Sequence, residues 1–236
     1  PVFGPQAAAP GEGEPVNAIA AWLCDLLYPP KCMLCGRLLR DSEAVLCGRC
    51  GHELPEWDNA PRRVPGYERC AAAFVYEEPI RGSILRFKFH GMQTYAVQFA
   101  RWMAVRVCGE FRTSFDFVTW TPCSRRRRWS RGFDQAELLA KALARELDLE
   151  ARPTLEKFRH RPPQSKTKTA AKRRANVQGA YRLLPGADVR GRTVLVVDDI
   201  LTTGATLGEC GRILRQAGAK DLYAAVIAAV NQDENK

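Results

Sequence analysis

No stretch of this 236-residue chain approaches the roughly twenty consecutive apolar residues that a membrane-spanning helix needs. That absence excludes a helical integral membrane protein. Residues 1–15 lack the basic start of a secretory signal and are rich in Pro and Gly, so a disordered tail and a cytoplasmic location are expected. The cysteine total of 9 is odd and comes without an export signal, which argues against a disulfide framework. Acidic charge is also short: 26 Asp+Glu stand against 36 Lys+Arg, a formal net charge of +10. The imbalance is local. Residues 120–182 hold 17 Lys/Arg and 6 Asp/Glu, a balance of +11, so the remainder sums to −1. One stretch therefore meets anions, and the candidates are a phosphorylated small molecule, a nucleic acid or a membrane surface. A hydrophobic share of 46% in this length is enough for one globular domain and a small module.

Four of the cysteines form two copies of one pattern, Cys32-Met-Leu-Cys35-Gly36 and Cys47-Gly-Arg-Cys50-Gly51. Each copy offers two thiolates from a tight turn, and the glycine lets backbone N–H groups approach the sulfurs. Two such turns make a closed, tetrahedral zinc site, structural because no coordination position stays open. The alternative is a pair of disulfides or unrelated buried thiols. A module over about 30–60 is too small for a core of its own, and zinc at about 10–16 kcal/mol of apparent binding energy supplies what burial cannot. His52 can substitute as a ligand, but an exposed loop histidine is the simpler expectation. Cys24 reads as a small apolar residue on a helix over 16–28.

Beyond the cysteines the pattern alternates. Strands are expected at 73–76, 115–121, 180–184, 193–197 and 222–230, with helices at 80–90, 92–110, 133–149 and 206–217. The runs 194–197 and 224–230 are continuously apolar, as in strands covered on both faces. The expected fold is α/β, a mostly parallel sheet with helices on both faces, ligands sitting at the strand C-termini. The expected divisions are 1–15, a helix and zinc module over 16–65, and the α/β domain over 66–236.

The most informative segment follows the strand at 193–197, where Asp198 and Asp199 precede Ile200, Leu201, Thr202, Thr203, Gly204, Ala205 and Thr206. Backbone N–H groups of that loop, with the threonine hydroxyls, can surround a phosphate at the positive end of a helix. Adjacent carboxylates would repel the phosphate, so their natural partners are sugar hydroxyls, directly or beside a metal ion. The arrangement suits a sugar 5-phosphate. The bland alternative is a strand-turn-helix whose Asp and Thr residues merely cap the helix.

This segment resembles the 5-phosphoribosyl-1-pyrophosphate (PRPP) motif of type I phosphoribosyltransferases. With the cysteine module, residues 18–230 resemble the ComF family, which carries an N-terminal double zinc ribbon and is linked to DNA uptake in natural competence. The supporting stretches are Arg131-Gly-Phe-Asp134-Gln135, Pro162-Pro-Gln164 with Arg173-Arg-Ala-Asn176, and more weakly Phe87-Lys88-Phe-His-Gly91. The family usually carries Asn at Asp134, where a carboxylate either weakens pyrophosphate binding or hydrogen-bonds locally. The resemblance implies that Asp198 and Asp199 hold the ribose 2- and 3-hydroxyls and that Leu201–Thr206 cradle the 5-phosphate. It also implies that Thr121–Ser124 and Arg131 face pyrophosphate, and that 159–176, with Gln164 and Arg173, form a mobile loop. Mg²⁺ would accompany PRPP, with cationic groups stabilising the departing pyrophosphate.

The arginines at 125–128 and the cations at 166–174 exceed what one pyrophosphate requires. A solvated charged face accounts for any single one, whereas the cluster fits a second anionic partner such as nucleic acid, with Trp129 able to stack on a base. Three readings stay open: a catalytic phosphoribosyltransferase, a PRPP-binding competence factor that contacts DNA or a helicase, and a scaffold with a vestigial pocket.

Overall fold

The computed structural model describes residues 29–40, 45–58, 60–159 and 177–231. The tail, the helix expected over 16–28 and Cys24 lie outside them, as do Gln164 and Arg173.

The elements in chain order are α1 (Gly48–His52), β1 (Arg69–Val75), α2 (Ile80–Phe89), α3 (Tyr95–Glu110), β2 (Phe117–Trp120), α4 (Arg125–Arg131), α5 (Gln135–Glu146), β3 (Leu155–Lys157), β4 (Tyr181–Leu183), β5 (Thr193–Leu201), α6 (Ala205–Gln216) and β6 (Asp221–Ala229). Four strands form one parallel sheet in the order β1-β6-β5-β2. The two continuously apolar runs are its two central strands. Leu195, Val197, Ala225 and Ile227 pack into the layer of α3 and α5, with Phe99, Met103, Leu139 and Leu143. Val194, Val196, Leu222, Ala224 and Val226 pack on the other face against Leu207, Cys210, Ile213 and Leu214 of α6. Both faces of the central strands are thus dry, which is why no polar alternation is visible in their sequence.

Several elements differ from the sequence expectation, beginning with β1, which is expected at 73–76 and runs Arg69–Val75. β5 runs through both aspartates instead of stopping at Val197, because Asp198, Ile200 and Leu201 go on pairing with Val226, Ala228 and Ala229. The strand expected at 180–184 joins a separate antiparallel ribbon with β3, whose three residues are too few to show a period in the sequence. The arginine run forms helix α4, with Ser124 at its N-cap accepting from the Arg127 N–H and Gly132 ending it in the left-handed conformation. No residue of α4 is buried, so apolar periodicity could not announce it. Outside the sheet, segment 150–152 lies along β2, whose Val118 N–H donates to Glu150 O while Arg152 N–H donates to Val118 O. That covers the β2 edge. No helix among the described residues is long and apolar enough to cross a membrane.

Candidate functional site

Two sites emerge. In the first, the Sγ atoms of Cys32, Cys35, Cys47 and Cys50 all lie within 4.8 Å of one another, and those of Cys35 and Cys47 are 3.7 Å apart. A tetrahedron with metal–sulfur bonds of about 2.3 Å has edges of about 3.8 Å, so the four thiols fit zinc. Each turn is closed by the same kind of bond: Gly36 N–H donates to Cys32 O at 2.8 Å, and Gly51 N–H donates to Cys47 O at 3.0 Å. Burial raises the Cys32 thiol, but the N–H groups of Cys35, Cys47 and Leu34 outweigh it and hold this thiol below its ordinary range, whereas burial and the neighbouring thiols push Cys50 up. His52 is exposed and outside the group. The knuckle is not free-standing. Cys32, Met33, Leu34 and Cys50 are buried in the same core as α3 and α5, and the Arg86 guanidinium of α2 donates to the carbonyls of Met33 and Leu34.

The second site lies at the C-terminal end of β5. Asp199 N–H donates to Asp198 Oδ1 at 2.9 Å, and the Thr121 side chain hydrogen-bonds the same carboxylate. Thr121 is held there by its own N–H, which donates to Val197 O across the β2–β5 boundary. Burial, and after it the Asp199 charge, pushes the Asp198 carboxyl up to about 7. Asp199 has a partner distant in sequence: Lys88 Nζ, at the end of α2, is 2.7 Å from Asp199 Oδ2, with both side chains less than a fifth exposed (15% and 19%).

Past Leu201 the chain turns through Thr202 and Thr203 to Gly204, whose φ of +70° is left-handed and caps α6 without a side-chain acceptor. The first N–H groups of α6 therefore point to the loop with no side chain to satisfy them, which is the geometry of an anion cradle. Thr206 hydrogen-bonds the Tyr181 hydroxyl, and that hydroxyl accepts from Lys157 Nζ at 3.0 Å. Burial, with Arg127 adding to it, lowers the Lys157 ammonium below its ordinary range, while the Asp198 charge opposes the fall. Lys157 is thus a second cation at the pocket, on a strand the sequence did not reveal.

Arg131 ends α4 beside the acid pair. Its guanidinium lies 4.6 Å over the Phe89 ring and donates to Gln135 Oε1 at 2.8 Å, and the Asp199 charge acts on it. Asp134 settles the local alternative: Oδ2 accepts from Cys123 N–H at 2.7 Å, and Oδ1 accepts from Ala136 and Glu137 N–H at the start of α5. Both oxygens tie the 121–124 loop to α5, so this carboxylate is a cap and a loop anchor.

The structure therefore brings Asp198, Asp199, Thr121, Arg131 and the 201–206 loop to one end of the sheet, and adds Lys88, Lys157 and Tyr181. Lys88 stood within the weakly matched stretch Phe87–Gly91, the only trace of it in the sequence. For Lys157 and Tyr181 the sequence carried none.

The comparisons with known proteins follow the same division. A phosphoribosyl transferase domain model matches residues 134–236, and a double zinc ribbon domain model matches residues 23–78. Competence protein F of Haemophilus influenzae is 31% identical over 75% of this chain and 81% of its own length. DNA utilization protein YhgH of Escherichia coli is 29% identical over 84% of this chain and 91% of its own. Competence protein ComFC of Streptococcus pneumoniae is 28% identical over 81% of this chain and 96% of its own. The chain belongs to the ComF family: a zinc-ribbon knuckle joined to a type I phosphoribosyltransferase-like domain.

Proposed function

We propose that this ComF-family protein is a cytoplasmic phosphoribosyltransferase that binds PRPP and serves DNA uptake. The observation that carries the reading is the juxtaposition of two carboxylates at the end of β5 with the uncapped, left-handed entry to α6. Diol and phosphate are the two chemistries that such a pair and such a loop accept, and a ribose 5-phosphate carries both. In this reading Asp198 and Asp199 hold the ribose 2- and 3-hydroxyls, and residues 201–206 hold the 5-phosphate. Thr121 and Arg131 face the pyrophosphate in this reading, while Gln164 and Arg173, expected on a mobile loop, lie outside the described residues. Mg²⁺, when bound, neutralises part of the pyrophosphate charge. The relatives' names, competence protein and DNA utilization protein, support the link to DNA. Calorimetry with PRPP and Mg²⁺ tests the reading: the wild type binds, and an Asp198→Asn/Asp199→Asn double variant loses most of the affinity. Equal binding by the two overturns it.

A second reading, a non-catalytic competence factor that contacts nucleic acid or a helicase, is favoured by α4. Trp129 is 90% exposed there, at the end of four consecutive arginines. Exposed arginines beside an exposed ring match backbone charge and base stacking in a single strand. PRPP turnover separates the two readings: hydrolysis or transfer supports the enzyme, while binding of PRPP without turnover supports the sensor.

A further inference from the structure

We propose that Lys88 is a built-in counter-ion of the sugar site, competing with divalent cations for Asp199 and drawing anionic sugar phosphates to it. The second half of this inference rests on the PRPP reading above, and the first half does not.

Two neighbouring carboxylates near the end of a dry strand repel one another and are costly to ionise together. Lys88 answers that repulsion at 2.7 Å from Asp199 Oδ2, in a pair shielded from solvent on both sides. The ammonium also lowers the cost of ionising Asp198, which Asp199 and burial raise. A surface lysine would wander. This one is fixed, because the last turn of α2 is held from three directions. Phe87, its neighbour, is fully buried against Phe99 and Phe133. Arg86 is hydrogen-bonded to the knuckle carbonyls. On the following residue, the Phe89 ring carries the Arg131 guanidinium. Packing and hydrogen bonds thus decide where Lys88 projects, and Asp199 is where it arrives.

The consequences for ligands have opposite signs. A divalent cation that approaches Asp199 meets an ammonium already on one of its oxygens, so it binds weakly until a ligand supplies further donors. A sugar diphosphate brings hydroxyls that can share Asp199 and negative charge that Lys88 attracts. Removing the ammonium therefore strengthens the cation and weakens the anion. A merely structural role would shift both the same way, or neither.

The test is calorimetry of Lys88→Met and Lys88→Arg with MgCl₂ alone and with PRPP, after thermal melts establish that each variant is folded. The expected result for Lys88→Met is Mg²⁺ affinity higher by at least about fivefold and PRPP affinity lower by at least about tenfold. Lys88→Arg, which keeps the charge, stays within a few-fold of the wild type on both. Unchanged Mg²⁺ affinity in a folded Lys88→Met protein overturns the inference, and so does a parallel loss of both ligands. If Lys88→Met does not fold, Lys88→Arg and Lys88→Gln carry the same comparison, and equal Mg²⁺ affinity in the two overturns the counter-ion role. Should the wild type fail to bind PRPP at all, the PRPP reading falls while the Mg²⁺ comparison still decides the first half.

Discussion

The knuckle gathers its four thiols from residues 32–50, two turns of one local stretch, whereas the pocket draws its groups from α2, the β2 loop, α4, β3, β4 and β5. The knuckle's sulfurs come together from two short local turns, one ending in the left-handed Gly36 and the other opening helix α1. The pocket's cations are delivered by helices and strands that share no sequence neighbourhood. The difference lies in what holds each site. A metal can gather four nearby ligands with little help from the rest of the fold, while Lys88 reaches Asp199 only because the end of α2 is packed against Phe99 of α3 and Phe133. The two sites nevertheless meet on one helix: Arg86 of α2 grips the knuckle, and Lys88, two residues on, grips the acid pair.

Breaking the knuckle is the largest perturbation. Cys50→Ser is expected to take metal content from about one zinc per chain to none, and to lower the melting temperature more than any single pocket substitution, because such sites bind zinc with about 10–16 kcal/mol. PRPP affinity should fall only a few-fold, through the loosened Arg86 contact. Metal analysis, melting and calorimetry on the same preparation read all three effects, and a clean wild-type preparation without zinc removes the premise.

Neutralising the pocket has a smaller effect, of opposite sign. A carboxyl raised in the folded state contributes stability that is present below its unfolded value, and that stability is lost as pH rises through the folded value. For Asp198, pushed up to about 7, that window runs from about pH 4 to about pH 7. Asp198→Asn lacks this loss, so it should gain on the wild type by roughly 1–3 kcal/mol between about pH 4 and about pH 7 while losing PRPP affinity. Melting curves across that range check it, and parallel curves count against a buried, raised carboxyl.

The smallest expected effect sets one glycine of each region against the other. Gly36 in the knuckle and Gly204 in the pocket both have positive φ, +75° and +70°. Neither site is crowded: a Cβ at Gly36 meets nothing within 4 Å, and one at Gly204 meets Val64 Cγ1 at 3.5 Å. Each Gly→Ala change should therefore cost only the backbone penalty, about 1–2 kcal/mol. Gly204→Ala alone should also weaken PRPP binding, since it sits at the entry of α6. Equal PRPP affinity in the two variants would mean that the loop does not hold the ligand.

Much of the fold could be read from the sequence because its central strands are dry on both faces and its helices α3, α5 and α6 carry apolar stripes. β3 was missed because three residues have no period, and α4 because nothing on it is buried. Within the pocket, Asp198, Asp199, Thr202, Thr203, Gly204 and Thr206 were legible because they are contiguous. Arg131 was reached through the family resemblance, and its stacking on Phe89 became visible only in three dimensions.

The sequence by itself determined the four-cysteine set that fits zinc, the parallel α/β pattern and the acid-pair loop, since each is written in short local stretches. Only the tertiary structure decided that Asp134 anchors a loop, that Lys157 reaches the Thr206 end of the cradle through Tyr181, and that Lys88 closes on Asp199. Those contacts depend on how helices and strands pack, and packing is set by the whole core.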